Sequence, residues 1–179
     1  MRIVTWFNNI FADSEMKAHI DSQAHVPDTH EKITAWLAPV INNVSIHDGE
    51  AQYEADLKNV TLPQRLMLAV WWYNAEVGNG GHGQLYDNST GIVYEDAIRG
   101  FEALGMPHMA EVIRESVRRA GGIMEKDWAK RQERLSAMDI IDYDDLDDQW
   151  AEAQPATEQA MLDYIQSHTD DFRRPMTYA

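Results

Sequence analysis

The segment Glu76-Val77-Gly78-Asn79-Gly80-Gly81-His82-Gly83-Gln84 places a carboxylate, an imidazole and an amide around a run of glycines. Residues 78–83 match G-x-G-x-x-G, the fingerprint that lays a pyrophosphate on a helix N-terminus directly after a strand. The preceding residues, 61–77, carry a helical period, so the context for phosphate binding is missing and a helix-terminating turn rich in left-handed backbone is expected. Glu76, with His82 and Gln84 beside it, could instead serve an enzyme or a small-ligand binder as a general base. That reading requires a concave pocket and a titratable group of shifted pKa. The plainer expectation for Glu76 is a helix-end carboxylate held by the amides of the turn.

Metal and nucleophile chemistry find little support. His19, His25 and His30 lie near Asp21 and Glu31, but a helical metal pair needs ligands four apart on one face. His19 and His25 are six apart, about 240° around a helix, and Pro27 interrupts the path to His30. The run Asp142-Tyr143-Asp144-Asp145-Leu146-Asp147-Asp148 fails as an EF-hand loop, which wants an oxygen ligand where Leu146 stands and Gly where Asp147 stands. The chain has no Cys, which excludes disulfides, thiolate catalysis and Cys-ligated zinc. No Ser sits in G-x-S-x-G. No enzyme, cofactor or metal is expected.

Charge is the most informative property of the composition. Thirty acids against 15 bases give a formal charge of −15 over 179 residues. That exceeds the magnitude of roughly 2–8 that keeps a small domain soluble, and it argues against direct binding to nucleic-acid phosphates. The asymmetry is regional. Residues 114–134 hold seven bases against four acids, whereas residues 135–172 hold eleven acids and no base. If residues 144–152 are helical, Asp144, Asp148 and Glu152 line one side with Asp145 adjacent, at one carboxylate per about 6 Å. Duplex DNA carries one charge per ~1.7 Å of axis, so imitating it would take several such rows, from other segments or a second subunit. Asp48, Glu50, Glu54 and Asp56 form a second base-free patch. The basic stretch has two open readings: pairing with the acidic tract, or part of a dimer contact.

The elements that must position these groups read helical nearly throughout. Asp28 caps a stripe of Ile33, Trp36, Leu37, Val40 and Ile41. Thr61, with Pro63 in the first turn, opens a helix whose face carries Leu62, Leu66, Ala69, Val70, Tyr73 and Val77. A third stripe runs from Tyr94 to Leu104 and closes at Gly105 and Pro107; a fourth, Met109 to Val117, ends at Gly121-Gly122. A polar helix over residues 124–135 follows, and Pro155 is expected to start the last one. No β-alternation exceeds four residues and no repeat occurs. The expectation is an all-α fold, one domain over residues 1–179. Asp13, Glu15, Asp21 and Asp28 interrupt any secretory apolar region, and no apolar run approaches the ~18 residues of a membrane span. A soluble, cytoplasmic chain is expected.

Residues 76–91, Glu-Val-Gly-Asn-Gly-Gly-His-Gly-Gln-Leu-Tyr-Asp-Asn-Ser-Thr-Gly, resemble the E-V-N-N-G-G-F-x-Q-(F/Y)-(F/Y)-x-N-S-x-G signature of a bacterial family of DNA-mimic proteins, the DMP19-like family. Residues 97–120 look like its next helical pair, and Leu146-Asp147-Asp148-Gln149-Trp150 and Tyr164-Ile165 like its closing elements, so the resemblance covers roughly residues 60–168. Gly78 stands where Asn is usual, and His82 and Leu85 where aromatics are usual. Glu76, Asn79, Gly80, Gly81, Gln84, Asn88, Ser89 and Gly91 are read as scaffold, the glycines permitting positive φ and the polar residues supplying local hydrogen bonds.

The resemblance implies an all-α homodimer that presents carboxylates where DNA presents phosphates and occupies the DNA-binding face of a helix-turn-helix transcription regulator. Asp139, Asp142, Asp144, Asp145, Asp147, Asp148 and Glu152, with Asp48, Glu50, Glu54 and Asp56, are the expected phosphate mimics. The competing readings are the small-ligand site around residues 76–84 and an acidic surface without a specific partner.

Overall fold

The computed structural model describes residues 28–174, and all regular structure among them is helical. His19 and His25, with Asp13, Glu15 and Asp21, lie outside the described residues. Helix α1 (Thr29–Ile41) begins in a capping box: Asp28 Oδ1 accepts from the Glu31 amide at 2.8 Å, and Glu31 Oε2 from the Asp28 amide at 2.9 Å. A short α2 (Glu50–Asp56) and a 3₁₀ turn (Leu57–Asn59) lead to α3 (Leu62–Asp87). There Thr61 and Gln64 form a second capping box, with Pro63 in the first turn. After a 3₁₀ turn over Ser89–Val93 come α4 (Tyr94–Ala103), α5 (Pro107–Arg119), α6 (Trp128–Ser136), α7 (Asp144–Ser167) and the short α8 (Thr169–Phe172).

Helix α3 is the axis of the fold. It packs against α1, α4, α6, α7 and α8, and Met67, Leu68, Ala69, Val70 and Tyr73 have no exposed surface. Each fully buried aliphatic side chain of this kind contributes about 1.5–3 kcal/mol. Helices α3 and α4 approach closely at Gly100, where a Cβ would lie 3.0 Å from the Leu66 carbonyl and 2.5 Å from the Val70 side chain. Arg65 and the buried Asp96 tie the same pair of helices, Nε to Oδ2 at 2.7 Å.

Two expectations about boundaries are corrected. The glycine run does not end α3. The helical path breaks at Gly80 (φ −169°, ψ 26°) and Gly81 (φ 74°, ψ −177°) and then resumes to Asp87. Only Gly81 within residues 78–83 is left-handed. Likewise Pro155 does not start the last long helix but lies inside α7. Proline removes one i→i−4 hydrogen bond, here to the Ala151 carbonyl, and both Ala151 and Pro155 are exposed. The buried Leu146 before the break, and Met161, Leu162 and Ile165 after it, hold both halves on the core.

Candidate functional site

The break in α3 and the first two turns of α7 form one unit. Gly81 brings the backbone so close to α7 that a Cβ there would collide with the Asp147 carboxylate. Asp147 Oδ1 accepts from the His82 amide at 3.0 Å and from His82 Nδ1 at 2.5 Å. An ionised carboxylate only accepts, so Nδ1 carries the proton and Nε2 accepts from the Tyr73 hydroxyl at 2.8 Å. His82 and Tyr73 are completely buried, among the rings of Phe101, Tyr143 and Tyr86. Burial lowers the His82 pKa against the opposing pull of Asp147. One turn further along α7, Trp150 donates from Nε1 to Asn74 Oδ1 at 2.9 Å. Its indole edge covers Gly78, where a Cβ would stand 2.9 Å from Cη2. Gly78 and His82 therefore meet the same helix, at Trp150 and Asp147.

Glu76 is buried, and both its oxygens are engaged by side chains rather than by the turn amides expected from the sequence. Oε2 accepts from Gln84 Nε2 and Asn88 Nδ2, and Oε1 from Thr90 Oγ1, each at 2.8 Å. Glu76, Gln84 and Asn88 thus form one polar cluster that joins the two sides of the break. Ser89 instead meets His47, Oγ to Nδ1 at 3.0 Å, Asn79 is exposed, and Gly91 lies against the Arg131 guanidinium, 2.9 Å from where its Cβ would be.

Arg131 is the polar group that sequence reasoning missed. Its side chain has no exposed surface and donates only to carbonyls: Tyr86 at 2.8 Å, Asn88 and Glu125 at 2.6 Å, and Lys126 at 3.2 Å. Burial lowers its pKa. With Trp128 and Gln132, which donate to the Asp87 carbonyl, it satisfies the carbonyls that end α3, where a cation also suits the helix dipole. Its place within a stretch of seven bases gave no signal of burial.

The two acidic patches divide into engaged and free groups. In the tract around α7, Asp147 faces inward as described. Asp145 is clamped by Arg119, Nη1 to Oδ1 at 2.5 Å and Nη2 to Oδ2 at 2.9 Å, which holds its carboxyl below the usual range. Asp142 Oδ1 accepts from the Asp144 amide at 3.0 Å. Asp139, Asp144, Asp148 and Glu152 are exposed, and their carboxylates carry no hydrogen bond or ion pair among the described residues. In the second patch Glu50 makes no hydrogen bond among the described residues but lies in the field of Lys126. Asp48 accepts from Ser45 Oγ, Asp56 from the Ser45 amide and Gln52, and Glu54 sits 3.7 Å from Arg65 and 3.6 Å from Lys126. No hydrogen bond or ion pair among the described residues joins the two patches. Residues 144–152 are helical, and Asp144, Asp148 and Glu152 form the expected row at i, i+4 and i+8.

The cations of the basic stretch are mostly consumed within the chain. Arg114 pairs with Glu102 and Glu111, Arg118 with Glu115, Arg119 with Glu115 and Asp145, and Lys126 with Glu95 and Glu54. Arg134 donates to the Gly121 carbonyl at 2.9 Å. His30 lies 3.4 Å from Glu158 on α7, and no group of three or more potential metal ligands occurs among the described residues. No helix among them is long and apolar enough to cross a membrane.

No curated protein and no solved structure matches the chain. The family model for DMP19-like protein matches residues 58–168, a span that runs from the 3₁₀ turn before α3 to the end of α7 and so includes the broken helix, its buried Glu76 cluster and the acidic helix clamped on it. The chain belongs to the DMP19-like family.

Proposed function

We propose that this chain is a DNA mimic that binds the DNA-binding face of a helix-turn-helix transcription regulator and keeps it from its operator. The observation that carries the reading is the separation of charge. Most of the bases that precede the acidic tract are spent on internal partners, while Asp144, Asp148 and Glu152 stand free along one face of α7. A basic partner can neutralise such a row without first breaking an ion pair. Family membership supplies the class of partner. Because one helix spaces carboxylates at about 6 Å and duplex phosphates lie closer, a second copy adding its own row completes the mimic, and a homodimer is part of the proposal. The protein acts by occupancy, without catalysis, cofactor, membrane contact or nucleic acid of its own.

The test is affinity capture from bacterial lysate at two salt concentrations, followed by competition. A helix-turn-helix protein held at low salt, lost at high salt and displaced by its own operator DNA is expected. The triple variant D144N/D148N/E152Q should then bind that regulator about tenfold more weakly, since exposed pairs are worth up to about 1 kcal/mol each. Parent-like affinity of the triple variant removes α7 from the interface. Asp145 and Asp147 are left unchanged because their carboxylates serve the fold.

A further inference from the structure

Between the end of α3 and the segment that joins α6 to α7 lies an open groove of about 270 Å³ whose lining includes Tyr86, Leu135, Met138, Ile140 and Ile141 on its apolar side. It touches Gly83 but not Glu76, His82 or Gln84. Ile140 is fully exposed and extends the apolar side that Leu135, Met138 and Ile141 form. Among the described residues, the charged groups that line the groove are the acids Asp87 and Asp139, both exposed. Asp142 and the free row of α7 follow directly in the chain. Tyr143 also lines the groove, and its buried hydroxyl has no hydrogen-bond partner among the described residues.

We propose that this groove is the apolar anchor of the acidic surface, and that it takes a large apolar side chain projecting from a Lys/Arg-rich helix of the partner. Charge complementarity selects that occupant. An apolar segment without bases would gain nothing from Asp87, Asp139 and Asp142, and a second copy of this chain would bring its own acids against them. The inference rests on the mimicry reading and adds to it. Phosphates explain how carboxylates attract DNA-binding proteins in general, but a phosphate lattice has no counterpart to Ile140. The row of α7 therefore supplies attraction and on-rate, while the groove discriminates among basic partners.

The test uses the full chain and two synthetic helical peptides of about 20 residues, identical in their Lys, Arg and Ala content, one with a central Leu and the other with Ser. Calorimetric titration at low salt is expected to give the Leu peptide about tenfold the affinity of the Ser peptide, the order of gain from burying one such side chain. In Ile140→Ser, which removes only an exposed side chain, that preference should vanish while the Ser peptide binds as before. Equal affinity of the parent for both peptides overturns the groove proposal and leaves mimicry standing. Failure of both peptides to bind overturns the groove and mimicry together. If Ile140→Ser instead converts a dimer to a monomer in sedimentation and leaves the Leu preference intact, the groove belongs to a second copy and the proposal fails.

Discussion

His82 is held at both ring nitrogens, by Asp147 and by Tyr73, and it is buried in the neutral form. Its pKa in the folded chain is lowered, so between that value and the unfolded value of about 6.5 the unfolded chain binds more protons. Stability contributed by His82 is therefore complete above about pH 6.5 and is lost as pH falls toward the folded pKa, with a slope of at most about 1.4 kcal/mol per pH unit. His82→Phe keeps a ring in the site, yet it leaves the buried Tyr73 hydroxyl unpaired and takes one bond from Asp147. At pH 7 we expect it to be less stable by about 2 kcal/mol, and urea unfolding between pH 5 and 7 should show a shallower acid slope than the parent. A variant as stable as the parent at pH 7 would show that these bonds carry no net stability. Glu76→Gln is expected to cost about 1–3 kcal/mol in the same assay, because one carboxylate oxygen becomes a donor facing Gln84 and Asn88 or Thr90. These roles were only partly legible in sequence. The sequence reads Glu76 as a carboxylate held by turn amides, whereas its partners are the side chains of Gln84, Asn88 and Thr90. Asp147 read as one more surface acid, since nothing local in an acidic run announces a contact made 65 residues away.

At the scale of elements, caps and apolar stripes placed most helices, because those signals lie within a few residues of each boundary. Asp28 and Thr61 cap where expected, and Gly105 and Gly121-Gly122 end α4 and α5. The misplaced boundaries are those where tertiary contacts override a local stop. Gly80 and Gly81 would terminate an isolated helix, but here the Glu76 cluster spans the break and α7 closes over it. Pro155 would begin a helix, but the buried residues on both sides of it keep one axis. This difference can be measured with two glycines of similar φ. Gly105 (φ 71°) has nothing near its missing Cβ, whereas a Cβ at Gly81 (φ 74°) would strike the Asp147 carboxylate. Gly105→Ala should cost only the left-handed strain of about 1–2 kcal/mol. Gly81→Ala should cost clearly more in urea unfolding, because the clamp on α7 must open as well. Equal costs would mean that α7 yields freely at this point.

For the whole molecule, the acids that the proposed function uses are ones the fold does not need. The chain carries −15, and internal pairing spends cations on Glu95, Glu102, Glu111, Glu115 and Asp145 while Asp144, Asp148 and Glu152 go without. Uncompensated like charge destabilises a compact state through self-repulsion, and selection for activity often retains such cost at a binding surface. D144N/D148N/E152Q, which lowers the net charge from −15 to −12, should therefore raise the melting temperature at low ionic strength even as it weakens partner binding. Part of the gain is offset at Asp144, since a carboxylate in the first turn favours the α7 dipole. Asp148 and Glu152 lie beyond that turn and contribute repulsion alone, so D148N/E152Q should stabilise more per charge removed than D144N. Salt screens over about 10 Å at 0.1 M, so the parent should gain stability as sodium chloride is raised and the gap to the variants should close. Thermal melts of parent, D144N and D148N/E152Q across a salt series measure this directly. If the parent melts at one temperature at every salt, the carboxylates lie too far apart to repel, and a row that does not feel its own charges would be a weak imitation of a phosphate backbone.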